Sequence, residues 1–201
     1  MLTHPSDRFL PQAWGSDMAI RPITTHYKGY KFRSRLEARW AVFFDTAKIK
    51  WEYEVQGFVV DADLYLPDFY LPEFHCYFEV KGSDEYDMEL LQRFAREIGR
   101  RVVVAQGPIP DPGEGTCGDE IGLQVLLPLD ATDCSGGIVD HTSWGYKDMF
   151  LRCDGCDRVA IMNEVYSSMK GACSCGDEGS RVMPLSDALT AARAARFEHR
   201  V

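Results

Sequence analysis

Three charged side chains stand in stretches that otherwise read as buried strands. In "YLPDFYLPEFHCYFEVKG", residues 65–82, Asp68 falls in one β-prone run and Glu79 and Lys81 in the next. If the runs, roughly 64–71 and 76–81, form a hairpin around the four-residue turn Pro72 to His75, antiparallel pairing sets Leu71 against Cys76 and Asp68 against Glu79. Opposed residues share a face with Cβ atoms about 4.5–5.5 Å apart, and like charges in that arrangement repel. Period two puts Lys81 on the same face and turns Phe78 and Val80 to the other. Two converging carboxylates beside a backbone carbonyl make an oxygen-rich site suited to Mg²⁺. Such a cation polarises a phosphoryl oxygen and lowers the pKa of a bound water, which a neighbouring lysine can orient or deprotonate. That is the chemistry of metal-assisted phosphodiester hydrolysis. The competing reading is a charge cluster on an edge strand. Leu, Phe, Tyr and Val on both faces favour a central hairpin, whereas Pro67 points to an edge or bulge.

A second group of residues has metal-ligand spacing. Cys153-Asp-Gly-Cys156 and Cys173-Ser-Cys175 place four soft ligands in two tight turns separated by sixteen residues, with Gly155 and Gly176 where the chain must bend. The pattern resembles a zinc ribbon or knuckle, with a CxC half in place of the usual second CxxC. Four thiolates leave no open coordination position, so the expected zinc is structural and folds a module too small to hold a core alone. Its acidic surroundings favour docking or a protein partner over DNA binding. Cys76, Cys117 and Cys134 show no ligand spacing, and Cys76 reads as a buried thiol.

The elements that must position these residues follow from periodicity. Residues 1–25 read as an arm, followed by a short hairpin, "HYKGYKF", turning at Gly29. Leu36, Trp40, Phe43, Phe44 and Ala47 form one apolar helical face, N-capped by Ser34. "WEYEVQGFVV" reads as a strand with a bulge or turn at Gly57, and the two strands of the opening motif come next. A second helix packs through Met88, Leu91, Phe94, Ala95 and Ile98; Ser83 or Asp84 is its expected cap and Gly99 its stop. "RRVVVAQ" has the continuous apolar run of a doubly buried strand. A proline-, glycine- and acid-rich excursion then leads to a strand at "LQVLL". The last piece, "SDALTAARAARFEHR", is helical, with Leu189, Ala192, Ala195 and Arg196 in register to pack on the core or on a partner.

Composition bounds the class. The 201 residues are 45% hydrophobic, enough for one packed core and a small appendage. The chain shows neither a membrane-length apolar window nor a signal-peptide pattern, and its odd total of seven cysteines argues for thiols and metal rather than disulfides; a cytoplasmic location with no membrane partner is expected. The net charge of −9 taken alone argues against nucleic acid, yet residues 26–50 carry seven basic side chains against two acidic ones. Lys28, Lys31, Arg33, Arg35 and Arg39 are candidate phosphate contacts, with Tyr27, Tyr30 and Phe32 as base or sugar contacts. A solvated helix face accounts for such a charge run as well.

"P-D" at 67–68, ten residues, then "E-V-K" at 79–81, on consecutive strands followed by a helix, resembles the signature of the PD-(D/E)XK nuclease superfamily. "FRSRLEARWAVFFD" followed by "WEYE" is similar to the first-helix region of transposon-end endonucleases and of phage and bacterial nucleases in that superfamily. The resemblance covers roughly residues 30–106. It implies a restriction-endonuclease-like α/β fold with an αβββαβ core and a mixed sheet, with a nuclease-like domain expected at 26–130; the cysteine spacing and the last helical pattern add a zinc-ribbon-like module at 131–183 and a C-terminal helix at 184–201. The resemblance also implies a Mg²⁺- or Mn²⁺-dependent DNA endonuclease or nickase in which Asp68, Glu79 and the Val80 carbonyl hold the metal, Lys81 handles the water and Glu37 is an auxiliary carboxylate. Glu37 has a second reading, since Ser34 to Glu37 fits the S-x-x-E capping box. The competing function is a catalytically silent nuclease fold that binds or inhibits a protein through the zinc module and acidic surface. A third option is cleavage of branched or single-stranded DNA.

Overall fold

The computed structural model describes residues 22–83, 85–112, 123–126, 148–163, 172–175 and 182–197. Strands β1 (Thr25–Tyr27) and β2 (Tyr30–Phe32) form the expected hairpin, with Gly29 in the left-handed region at its turn. Helix α1 (Arg35–Ala47) starts where Ser34 Oγ accepts the Glu37 N–H at 3.1 Å. Of the arm expected at 1–25, residues 1–21 lie outside the described residues, and Thr25 is already paired in β1.

The next two expected strands are each interrupted. Glu52–Tyr53 (β3) and Phe58–Val60 (β4) replace the first; Asp63–Tyr65 (β5) and Phe69–Leu71 (β6) replace the second. The breaks fall near Gly57 and at Leu66-Pro67, where proline offers no N–H to a ladder. The inner pieces pair as β3 with β6, while β4 and β5 pair with each other as a separate two-stranded sheet among the described residues and lean on the second helix through Phe58 and Tyr65 against Phe94. Strand β7 (Cys76–Lys81) then pairs antiparallel to β6 around a 3₁₀ turn at Pro72–Phe74.

Helix α2 (Met88–Ile98) is capped by Asp87, whose carboxylate accepts the Leu90 N–H at 2.9 Å, not by Ser83 or Asp84; the helix starts later than expected, and Gly99 ends it in the left-handed conformation. It leads to β8 (Val102–Gln106), parallel to β7, and β8 pairs antiparallel with β9 (Leu123–Leu126). β10 (Asp148–Cys153) continues the same sheet beside β9 and carries β11 (Val159–Asn163) and β12 (Val182–Pro184), so the sheet crosses the boundary expected near residue 130.

Among the described residues, the result is a mixed α/β protein built on an eight-stranded mixed sheet. On one face Phe78, Val80, Val103 and Ala105 pack under α1, with Trp40 and Phe44 ring centroids 4.9 and 5.1 Å from Phe78. On the other, Tyr77, Val102 and Val104 meet Leu91, Phe94 and Ala95 of α2. Helix α3 (Ser186–Ala194) lies on α1 through the fully buried Ala188 and Ala192, whose small side chains admit close approach, and Arg193 ties it to the Ile109 carbonyl at 2.8 Å. Ala195 and Arg196 fall beyond its end. No described helix is long and apolar enough to cross a membrane.

Candidate functional site

The β6–β7 register is Phe69 to Phe78, Tyr70 to Tyr77 and Leu71 to Cys76, and the next step along it sets Asp68 against Glu79. Each acid grips the opposite backbone. The Asp68 N–H donates to Glu79 Oε1 at 3.1 Å, and the Val80 N–H donates to Asp68 Oδ2 at 2.8 Å. These bonds hold the two carboxylates together although Asp68 is only 3% and Glu79 1% exposed. Lys81, on the same face, donates to Glu79 Oε2 at 2.9 Å. Val80 itself faces away, in the α1-side core.

Two flanking elements complete the cluster. Arg33, between β2 and α1, donates its guanidinium to Asp68 Oδ1 and pairs through Nε with Glu54 at 2.8 Å. Glu37 is buried in the first turn of α1. Its Oε2 accepts the Arg33 N–H at 3.1 Å and the Tyr53 hydroxyl at 2.6 Å. The capping box is therefore half made. Ser34 caps Glu37, but the glutamate bonds back to residue 33 rather than 34, close enough for its charge to act on Asp68.

Three carboxylates around one small volume leave a surplus of negative charge over Arg33 and Lys81. Burial first, then the charges of Glu79 and Glu37, push the Asp68 carboxyl up to about 8, against the Val80 N–H and Lys81, which favour ionisation. Burial and the Glu79 charge raise the Tyr65 phenol, whose buried oxygen makes no well-formed hydrogen bond. Burial and the bond to Glu37 raise Tyr53 as well. For Arg33, burial works to lower the pKa, but the Asp68 charge, Tyr53, Glu37 and Glu54 outweigh it and hold the guanidinium charged. Such a site gains by taking up a cation.

Of the five basic side chains expected to meet phosphate, only Arg33 joins the acids. Lys28 pairs with Asp45 at 3.0 Å, Lys31 is exposed, and Arg35 and Arg39 are half-buried on α1, with the Arg39 Nε buried and making no hydrogen bond. Phe32 is fully buried against Tyr53 and Phe69, which corrects its reading as a base contact, because a side chain filling the core has no face to offer. Tyr30 packs against Trp51 with the rings tilted by 54° and their centroids 4.8 Å apart, and Tyr27 meets Phe197 edge-on. Sequence reading missed Tyr53, Tyr65 and Glu54 as members of the site. Their aromatic or strand context was visible, but the fold alone turns their polar ends inward.

The cysteine group assembles as its spacing predicts. The Sγ atoms of Cys153, Cys156, Cys173 and Cys175 all lie within 4.8 Å of one another. A tetrahedral Zn²⁺ with bonds of about 2.3 Å requires sulfurs about 3.8 Å apart, so the cluster is compatible with structural zinc. The Gly155 N–H points at Cys153 Sγ at 3.4 Å, and a Cβ on Gly155 would sit 3.4 Å from both Cβ and Sγ of Cys175. Arg158 joins the two halves by donating to the Ala172 carbonyl at 3.0 Å. The Cys156 hydrogen bond, burial and the charges of Cys156 and Cys153 push the Cys175 thiol up to about 12, so without a cation the four sulfurs do not all ionise. Cys76 is a fully buried thiol, pushed up to about 12 by burial; Cys117, Cys134 and Gly176 lie outside the described residues. A groove of about 1110 Å³ separates the knuckle from the C-terminal end of α1, whereas the acids stand at its N-terminal end, about 20 Å away along the helix.

Fold and site together define a mixed α/β protein with a buried acid–lysine site and a separate four-cysteine cluster that could hold a metal ion. No family model, curated protein or solved structure matches the chain.

Proposed function

We propose that the chain is a divalent-metal-dependent DNA nuclease, an endonuclease or nickase of the PD-(D/E)XK type, on a restriction-endonuclease-like fold. The observation that carries this reading is the cross-bonded pair Asp68 and Glu79 on adjacent strands, with Lys81 two residues on. The strand order supports it too: β3, β6 and β7 run antiparallel, β8 runs parallel to β7, α1 precedes them and α2 connects β7 to β8.

The donor set fits Mg²⁺ or Mn²⁺, being all oxygen, negatively charged and largely dry. Asp68, Glu79 and the Val80 carbonyl are the residues that would hold it; Glu37 would add charge from α1. The bound cation supplies Lewis acidity and a water of lowered pKa. Lys81, paired with Glu79 at 2.9 Å, is the residue that would orient such a water and offset charge building on the phosphate. The backbone bonds of Asp68 and Glu79 fix both carboxylates before substrate arrives, so little reorganisation is left for the reaction. Zinc at the four cysteines would be structural, and the knuckle is the surface proposed for a protein partner. DNA is preferred to RNA, and a phage or bacterial source to others, on the resemblance alone.

Plasmid DNA incubated with Mg²⁺ or Mn²⁺ is expected to be nicked or linearised by the wild type and left intact by Lys81→Ala. Equal behaviour of the two proteins across metals and across duplex, junction and flap substrates refutes the reading. One observation favours the competing silent binding module: the Arg33 guanidinium already sits on Asp68.

A further inference from the structure

The hydrogen bonds of the acid pair leave one oxygen to contest. Asp68 Oδ2 takes the Val80 N–H, Glu79 Oε1 takes the Asp68 N–H, and Glu79 Oε2 takes Lys81. Asp68 Oδ1 is the remaining atom, and Arg33 is on it. The guanidinium is not buried with its partner: the Arg33 side chain is 53% exposed while that of Asp68 is 4% exposed. It therefore has an open path outwards. Its Nε is also tethered to Glu54, at the rim of the site, so it can leave Asp68 without losing every partner.

We infer that Arg33 is the resident counter-cation of the acid site, that a divalent metal displaces it from Asp68, and that the displaced guanidinium becomes the contact for a substrate phosphate. The inference deepens the nuclease reading and rests on it. Without metal, three carboxylates converge in a buried site and need compensation, which Arg33 and Lys81 supply. A divalent cation at Asp68 Oδ1 supplies it better, and it repels a guanidinium at the same oxygen. Arg33 then faces solvent beside the metal, where its planar fork matches two phosphate oxygens. One side chain thus keeps the empty site stable and makes metal loading a prerequisite for gripping substrate.

The test is calorimetric titration of Mn²⁺ into wild type, Asp68→Asn, Arg33→Met and Arg33→Lys, with duplex DNA binding measured in Ca²⁺ by anisotropy. Removing the competitor is expected to tighten Mn²⁺ binding about tenfold in Arg33→Met while weakening DNA binding. Arg33→Lys, which keeps the charge but loses the fork and is expected to fold, should tighten Mn²⁺ binding by a smaller factor, about threefold, and also bind DNA less well. If wild type binds Mn²⁺ through Asp68 but both Arg33 variants bind it equally or more weakly, Arg33 is no competitor and this inference fails alone. Tighter Mn²⁺ binding with unchanged DNA affinity removes the phosphate role and overturns the inference as stated. If wild type binds no Mn²⁺, or Asp68→Asn binds it as well, the inference and the nuclease reading fall together.

Discussion

Replacing Asp68 with asparagine should make the metal-free protein more stable at alkaline pH while abolishing its response to Mg²⁺. Asp68 titrates near 3.8 when unfolded and is pushed up to about 8 in the fold by burial and by the Glu79 and Glu37 charges. The folded state therefore binds the proton more tightly than the unfolded chain does. Its contribution is fully present below pH 4 and is lost as pH rises through 8. Every tenfold difference in proton affinity between the folded and unfolded chain is worth about 1.4 kcal/mol. Across pH 5 to 8 the wild type should lose stability relative to Asp68→Asn, by an amount on the order of 3 kcal/mol. Asparagine can still accept the Val80 N–H through its one carbonyl oxygen, so the strand pair survives, while the charge and the bond from Arg33 are removed together. The assay is urea unfolding in Chelex-treated buffers, which exclude free Mg²⁺ but leave tightly bound zinc in place, repeated with millimolar Mg²⁺. Mg²⁺ should restore the wild type at pH 8 and leave the variant unchanged. A stability difference between the two proteins that stays flat from pH 5 to 8, or that grows in favour of wild type, would refute the account of a carboxylate held at a cost for metal binding.

Other expectations are more local. Metal analysis of the purified chain should find one tightly held zinc, and Cys173→Ser should release it and lower the melting temperature; no zinc in either protein would dismiss the knuckle. Phe78→Ala, which empties a fully buried ring site between Trp40, Phe44 and Phe150, should cost about 3–5 kcal/mol in urea unfolding, and a cost near 1 kcal/mol would mean that the α1 layer is loosely packed. Tyr65→Phe removes a buried hydroxyl that makes no well-formed bond, so metal-free stability should stay level or rise by up to about 1 kcal/mol; a clear loss would reveal a hydrogen bond to Glu79.

Much of the site was legible because strand pairing is arithmetic. Once Pro72 to His75 is taken as the turn, the register of Asp68 and Glu79 follows, and the 3₁₀ turn preserves it. Ser34, Gly29 and Gly99 were readable because caps and left-handed turns depend on one residue's own chemistry. The errors arose where a choice depended on distant partners. Ser83, Asp84 and Asp87 are all good N-cap types, and Asp87 takes the position because α2 begins to pack directly after it. Phe32 looked like a surface aromatic among basic residues until α1, β3 and β6 closed over it.

Residue order by itself determined which acids oppose one another, which cysteines share a turn and which helix faces are apolar, because those relations repeat with the short periods of the backbone. Only the tertiary structure decided that Arg33 reaches Asp68 across 35 positions, that Tyr53 and Glu37 are bonded across 16, and that α3 closes on α1. Contacts at that separation are selected by how whole layers pack and by where buried charge must find a partner, and neither is written in any short stretch of the chain.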